Sequence, residues 1–223
     1  MGIARASVAR FMLDRALSAD CVRESPGNQQ LSQARRHPLS PRLRDDVMIR
    51  PWAAGDLPLL ERLLGDPVMM SHLGGPDSPE AIRARHERYL ATPVSAGGVF
   101  AIVVGRQRTA VGWVGFWESS WHGEEIWECG WSVLPEFQRT GLAAAATAFM
   151  LEHARMRVRH RFVHAFPSVA NAASDALCRR LGFESLGEVE VEYPKGVMMR
   201  SNDWRMDLLG GAPSDSRDLD AAR

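Results

Sequence analysis

Three apolar segments follow one another between Phe100 and Val133 with no helical stretch between them, and from there on strand and helix alternate. Phe100 to Val104 and Ala110 to Trp117 are joined by the polar turn Gly105 to Thr109, and Ile126 to Val133 is the third segment. Short links make consecutive strands antiparallel. A helix starting at Gly141 then runs toward His153, followed by a strand at Arg161 to Phe166 and a helix at Ser174 to Leu181 stopped by Gly182. A strand–helix–strand crossover pairs its strands in parallel. Leu186 to Tyr193 and Met198 to Leu208 close the series. Ahead of it lie a short strand at Val47 to Trp52 and two helices. The first is capped by Asp56 and carries Leu57, Leu60, Leu63 and Leu64 on one face. Ser78-Pro79-Glu80 opens the second, which runs to about Ala91. This order predicts an α/β (α+β) chain: a mixed, mostly antiparallel sheet with helices on both faces.

A chain of 223 residues suits one well-buried core. The core is expected over 46–209. Residues 1–45 scatter arginines among Ala, Ser, Gln and Pro without a repeating apolar face, so they are expected to form a disordered extension, with at most a short helix around Val8 to Leu17. Residues 210–223, rich in Ser and Asp, are expected to be a flexible tail. Formal net charge is zero, which supplies no field toward nucleic acid or an acidic membrane. No apolar run reaches the ~20 residues needed to span a bilayer. Cys21, Cys129 and Cys178 are odd in number and lack Cys-x-x-Cys spacing, which suits a reducing cytoplasm without disulfides or structural zinc.

The segment Pro135-Glu136-Phe137-Gln138-Arg139-Thr140-Gly141-Leu142-Ala143-Ala144 lies between a strand and a helix. Backbone N–H groups converging at a helix N-terminus favour phosphate, and Gly141, Ala143 and Ala144 leave room for it to approach. Arg139 adds a possible charge-assisted contact. An ordinary turn before an Ala-rich helix would use the same residues, since alanine is the best helix former. The spacing Gln138-x-x-Gly141-x-Ala143 resembles the pyrophosphate loop of the GNAT superfamily of N-acetyltransferases. Val163-x-Ala165, then Asn171-x-x-Ser174, then Leu177-Cys178-Arg179-Arg180-Leu181-Gly182-Phe183 resembles that family's later strand, helix and Leu-Gly-Phe ending. The resemblance covers roughly 47–209 and is nearest to the ribosomal-protein acetyltransferase branch. It implies acetyl-CoA as acyl donor and no metal. It also implies a V-shaped splay between the strands flanking the loop, where pantetheine lies, with Gln138, Arg139, Thr140, Gly141, Leu142, Ala143 and Ala144 on the pyrophosphate.

Attack of an amine on a thioester needs a base, a donor for the oxyanion and a proton for the thiolate. Glu128 is the candidate base: strand alternation sets Glu128, Gly130 and Ser132 opposite Trp127, Cys129 and Trp131. Poor hydration between Trp127 and Trp131 would raise its pKa. An exposed strand glutamate is the plainer alternative. The resemblance implies a backbone N–H near Val133 or Leu134 for the oxyanion. Cys178 stands where many members carry tyrosine, and reads as a small buried hydrophobe. The ribosomal-protein branch instead uses the serine matched by Ser174, which would also serve as the N-cap of its helix. Asn171 is expected to order the loop or bond pantetheine.

The tryptophans from Trp113 to Trp131 read mainly as core, with an aromatic acceptor cleft as the sharper alternative. His160 and His164 are spaced as zinc ligands would be on a helix but sit at the start of a strand, and the other five histidines show no ligand pattern, so metal is not expected. The run Arg155 to Arg161 reads as a solvated helix end. The loop Glu192-Tyr193-Pro194-Lys195-Gly196 is expected beside the acceptor. Together these predict a cytoplasmic N-acetyltransferase acting on a small-molecule or peptide primary amine by direct transfer, without nucleic-acid or membrane partners. Homodimerisation is a family-level expectation. A non-catalytic acyl-CoA sensor on the same fold is the alternative, kept open by Cys178.

Overall fold

The computed structural model describes residues 47–93, 96–194 and 196–210. The extension expected over 1–45, with its short helix, lies outside the described residues, as does the tail from 211 onward. The elements, in chain order, are β1 (Val47–Pro51), α1 (Leu57–Leu64), α2 (Pro79–Ala91), β2 (Gly97–Val104), β3 (Thr109–Trp121), β4 (Glu124–Val133), α3 (Leu142–Met156), β5 (Phe162–Ala165), α4 (Ala172–Leu181), β6 (Glu184–Glu192) and β7 (Met198–Asp207). They build one seven-stranded sheet in the order β1-β2-β3-β4-β5-β7-β6, in which β4 and β5 alone are parallel.

The β3–β4 hairpin runs further than the apolar pattern suggests. His122 (φ 50°) and Gly123 (φ 86°) form a two-residue turn with both residues left-handed, and that turn twists in the sense the strands require. Pairing therefore extends out to Trp121 and Glu124, across the polar stretch Glu118 to Glu125.

The start of α1 departs from the expected cap. Asp56 precedes α1 in a helical conformation and makes no side-chain cap. Its carboxylate instead accepts from the Ala53 N–H at 2.8 Å and from both terminal nitrogens of Arg50 at 2.6 and 2.7 Å, closing a short 3-10 turn ahead of the helix. The buried face of α1 is accordingly Leu59, Leu60, Leu63 and Leu64, with Leu57 only half-buried. Ser78 does cap α2, accepting from the Ala81 N–H.

Helices α3 and α4 cover one face of the sheet and α1 and α2 the other. The first core gathers Phe116, Trp127 and Cys129 from the strands under Ala146, Met150 and Ala154 of α3 and Cys178 of α4. The alanines let α3 lie close to the strands, and each large apolar side chain fully buried there contributes roughly 1.5–3 kcal/mol. The second core sets Leu60, Leu63, Met70 and Ile82 against Ala101, Val103 and Trp113. A smaller cluster of Trp121, Ile126 and Val191 fills the same side under β6 and β7.

Candidate active site

Strands β4 and β5 stay paired over only two residues each, Trp127 with Val163 and Glu128 with His164. Beyond that point β5 departs while β4 continues to Val133, so the sheet forks. On its other edge β4 remains paired with β3, and the Leu134 N–H closes that ladder on the Val111 carbonyl at 2.9 Å. Antiparallel bonds alternate, which turns the peptide groups of Trp131 and Val133 away from β3 and into the fork. Of the two N–H groups expected near an oxyanion, Leu134's is thus already bonded, leaving Val133's.

At the mouth of the fork the chain makes a second opening for an anion. A 3-10 turn spends the N–H groups of Phe137 and Gln138 on Leu134 and Pro135. The next backbone donor with an acceptor among the described residues is Ala145, which bonds Gly141 at 3.1 Å. Between them, the N–H groups from Arg139 to Ala144 have no acceptor among the described residues. Arg139 (φ 59°) and Gly141 (φ 87°) are both left-handed, a backbone alternation that curls successive N–H groups into a concave anion nest. The dipole of α3 adds positive potential there. Gln138 does not reach outward: its amide donates to the Val133 carbonyl at 2.9 Å and braces the loop against β4. Thr140 likewise turns its hydroxyl inward, to the Phe137 carbonyl. A surface concavity of about 390 Å³ lies to one side, between α1 and Leu134 to Glu136. Its lining sets Glu61, Asp66 and Glu136 against Arg62 alone, an unsuitable surface for phosphate.

Glu128 sits at the base of the fork, 4 % exposed, on the face that looks toward α1 and α2. Burial pushes its carboxyl up to about 7, while hydrogen bonds from Ser119 and Trp117 draw it partly back. The tryptophans responsible are not the sequence neighbours. Trp127 and Trp131 pack against the α3 face, whereas Trp117 stands beside Glu128 and Trp113 next to it. Both rings lie over Gly130, where an added Cβ would come within 3.2 and 3.3 Å of them. Oε2 of Glu128 and Nε1 of Trp113 are buried and have no hydrogen-bond partner among the described residues.

Asn171, rather than Ser174, caps α4, its side-chain oxygen accepting from the Ser174 N–H at 3.1 Å. The Ser174 hydroxyl accepts from Nε1 of Trp131 at 3.3 Å, which leaves its own proton to give. Cys178 is fully buried, and burial followed by the nearby Asp175 charge lifts its thiol to about 12. A thiol held there is a poor proton donor to a thiolate whose conjugate acid titrates near 8.5.

One buried group escaped the sequence reading. Asp203 of β7 faces Nδ1 of His164 at 2.7 Å and accepts from Nε1 of Trp121 at 2.8 Å. His164 is the in-register neighbour of Glu128, so a fixed imidazole stands at the base of the fork. Asn202-Asp203-Trp204 carries no spacing signal linking it to His164, since a long-range strand pairing brings them together. In the arginine run at the end of α3, Arg155 pairs with Glu152, Arg159 with Glu118 and Arg161 with Asp207, while Nε of Arg157 has no hydrogen-bond partner among the described residues. Among the described residues no group of three or more His, Cys, Asp or Glu is placed to hold a metal, and no helix is long and apolar enough to cross a membrane.

Residues 46–184 match the family model for the acetyltransferase (GNAT) domain. No curated protein matches the chain. Among solved structures, a GNAT-family acetyltransferase from Bacillus anthracis superposes with a TM-score of 0.62 at 17% identity, covering 74% of this chain and 96% of that one. An acetyltransferase from Salmonella typhimurium that modifies the N-terminal serine of ribosomal protein L7/L12 gives 0.60 at 20% identity, covering 76% and 97%. Spermidine N-acetyltransferase from Vibrio cholerae, solved with CoA and spermine, gives 0.60 at 18% identity, covering 74% and 97%.

Proposed function

Since the chain belongs to the GNAT acetyltransferase family, we propose that it moves an acetyl group from acetyl-CoA to a primary amine by direct attack within a ternary complex. The observation that carries this reading is the run of unbonded N–H groups from Arg139 to Ala144 at the mouth of a fork whose base holds Glu128. The nest is shaped for the pyrophosphate, with Arg139 adding charge. The exposed edge of β4 at Trp131 and Val133 offers peptide groups to the pantetheine arm, and the amide of Asn171 stands at the start of α4 on the other side.

Glu128, as carboxylate, takes a proton from the incoming ammonium. The freed nitrogen lone pair attacks the thioester carbonyl carbon, and the Val133 N–H donates to the oxygen that becomes negative. The C–S bond then breaks, leaving the amide and a thiolate, and the second nitrogen proton is lost to solvent. Ser174, whose hydroxyl proton is uncommitted, donates a hydrogen bond to the departing thiolate, which takes its proton from water. With Cys178 sealed under α3, this step uses no residue at the position where tyrosine is common in the family.

Calorimetric titration with acetyl-CoA tests the donor half. Saturable binding is expected, and Ala143→Glu should abolish it by placing a carboxylate inside the nest. A folded wild type that binds no acetyl-CoA would overturn the reading.

A further inference from the structure

The face of the sheet that carries Glu128 continues beyond it into a polar end that no step of acetyl transfer uses. Trp117 bonds Glu128, Trp113 lies beside Trp117 over Gly130, and Tyr89 of α2 meets Trp113 with ring centroids 5.5 Å apart. Beyond Tyr89 the wall ends at Arg85, one turn earlier on α2. Its guanidinium donates to the Tyr193 hydroxyl at 3.1 Å and faces Asp77 at 3.2 Å. Tyr193 and Pro194 belong to the β6–β7 loop, and Pro194 closes against Gly74 in the α1–α2 connection. The aromatic wall therefore runs from a carboxyl at the fork to a cationic end framed by two loops.

The charges at that end do not balance. Arg85 is nearly enclosed, its side chain 13% exposed, and Nε has no acceptor among the described residues. Arg88, one turn further along α2, is half-buried within electrostatic reach of Arg85, Asp77, Tyr89 and Tyr193. Partial burial first, and then the like charge of Arg85, draw its guanidinium down. Among the described residues Arg88 has no carboxylate partner, so Asp77 offsets one of two cations. The remaining carboxylate of the loop, Glu192, is held by the Gly196 N–H. A confined excess cation lacks an anion, and at this end Nε of Arg85 and Oδ2 of Asp77 both stand without a hydrogen bond among the described residues. At the other end of the wall, the unpartnered Oε2 of Glu128 lacks a donor.

Resting on the acetyltransferase reading above, we propose that the acceptor is an amine bearing a carboxylate. Its nitrogen lies at Glu128, and its carboxylate is bound by Arg85, Arg88 and the Tyr193 hydroxyl. A planar carboxylate matches the fork of a guanidinium with two parallel bonds. The same end repels a second ammonium, so a polyamine is the wrong acceptor for this chain.

The test measures CoA release from acetyl-CoA with linear ω-amino carboxylates of increasing length. Diamines, alkylamines and aminoalkyl phosphonates of matched length complete the series. At the best length, kcat/KM for the carboxylate should exceed that of the matched diamine and alkylamine by about tenfold or more. Arg88→Gln should reduce that ratio about tenfold. Tyr193→Phe, which keeps the ring and loses one donor, should reduce it less and serves where Arg88→Gln is unstable. A diamine used as well as the carboxylate, a ratio unmoved in both variants, or a phosphonate preferred to the carboxylate would each overturn the assignment. Turnover of no member also overturns it, and acetyl-CoA titration of the same preparation shows separately whether the transferase reading survives.

Discussion

Replacing Glu128 with glutamine should make the protein more stable above neutral pH while disabling it. In the native state burial lifts this carboxyl from 4.5 to about 7. Between those values the folded chain holds a proton that the unfolded chain releases, so stability falls as pH rises. The favourable contribution is complete below about pH 4.5 and is gone above about pH 7, where ionising the buried group has cost about 3 kcal/mol. Glutamine keeps an acceptor for Ser119 and Trp117 and carries no charge at any pH. Urea unfolding of both proteins, in steps from about pH 5 to about pH 8.5, isolates the difference. Wild type minus variant should change by about 2–3 kcal/mol over that range, the variant gaining toward alkaline pH. Wild-type kcat/KM should rise through about pH 7 as the base ionises, and the variant should lose about 10²–10⁴-fold. A stability difference flat across the range would refute the burial argument. An unaltered rate in the variant would refute the assignment of Glu128 as base.

Ala143→Glu should keep a cooperative urea transition, since the dipole of α3 favours a carboxylate in its first turn by about 0.3–1 kcal/mol against the loss of Ala143's partial packing on the first core. Acetyl-CoA binding by the same variant should be lost, which separates the nest from the fold. Asp203→Asn removes the buried carboxylate that Nε1 of Trp121 and the His164 ring share, and about 1.5–3 kcal/mol of stability should disappear in denaturant unfolding. Gly112→Ala should cost at least about 1–3 kcal/mol, since the new Cβ would stand 2.3 Å from the Ser132 carbonyl oxygen on the neighbouring strand. Its unfolding midpoint in urea measures that crowding.

Most of the architecture was legible because it depends on local patterns. Alternation in Ile126 to Val133 set the two faces of β4, and the structure shows Trp127 and Cys129 under α3 with Glu128 opposite. Gly182 stops α4 in a left-handed conformation, as a glycine after Leu181 should. The turn between β4 and α3 was equally readable, since a short link from strand to helix leaves N–H groups at the helix start unpaired. Errors fell where a side chain had a choice of partner. Asp56 abandons its cap for Arg50, a partner six residues away, and Asn171 rather than Ser174 takes the cap of α4.

The sequence by itself determined the order of elements, the side of each strand and the turn that joins β4 to α3, because helix and strand periods and turn chemistry act within a few residues. Tertiary structure alone decided which groups surround Glu128. Trp117 comes from β3, His164 from β5 and Asp203 from β7, and only the register between strands makes them neighbours. It likewise decided that Arg85 meets Tyr193, 108 residues along the chain. Desolvation and charge depend on everything packed around a site, so no local pattern carries them.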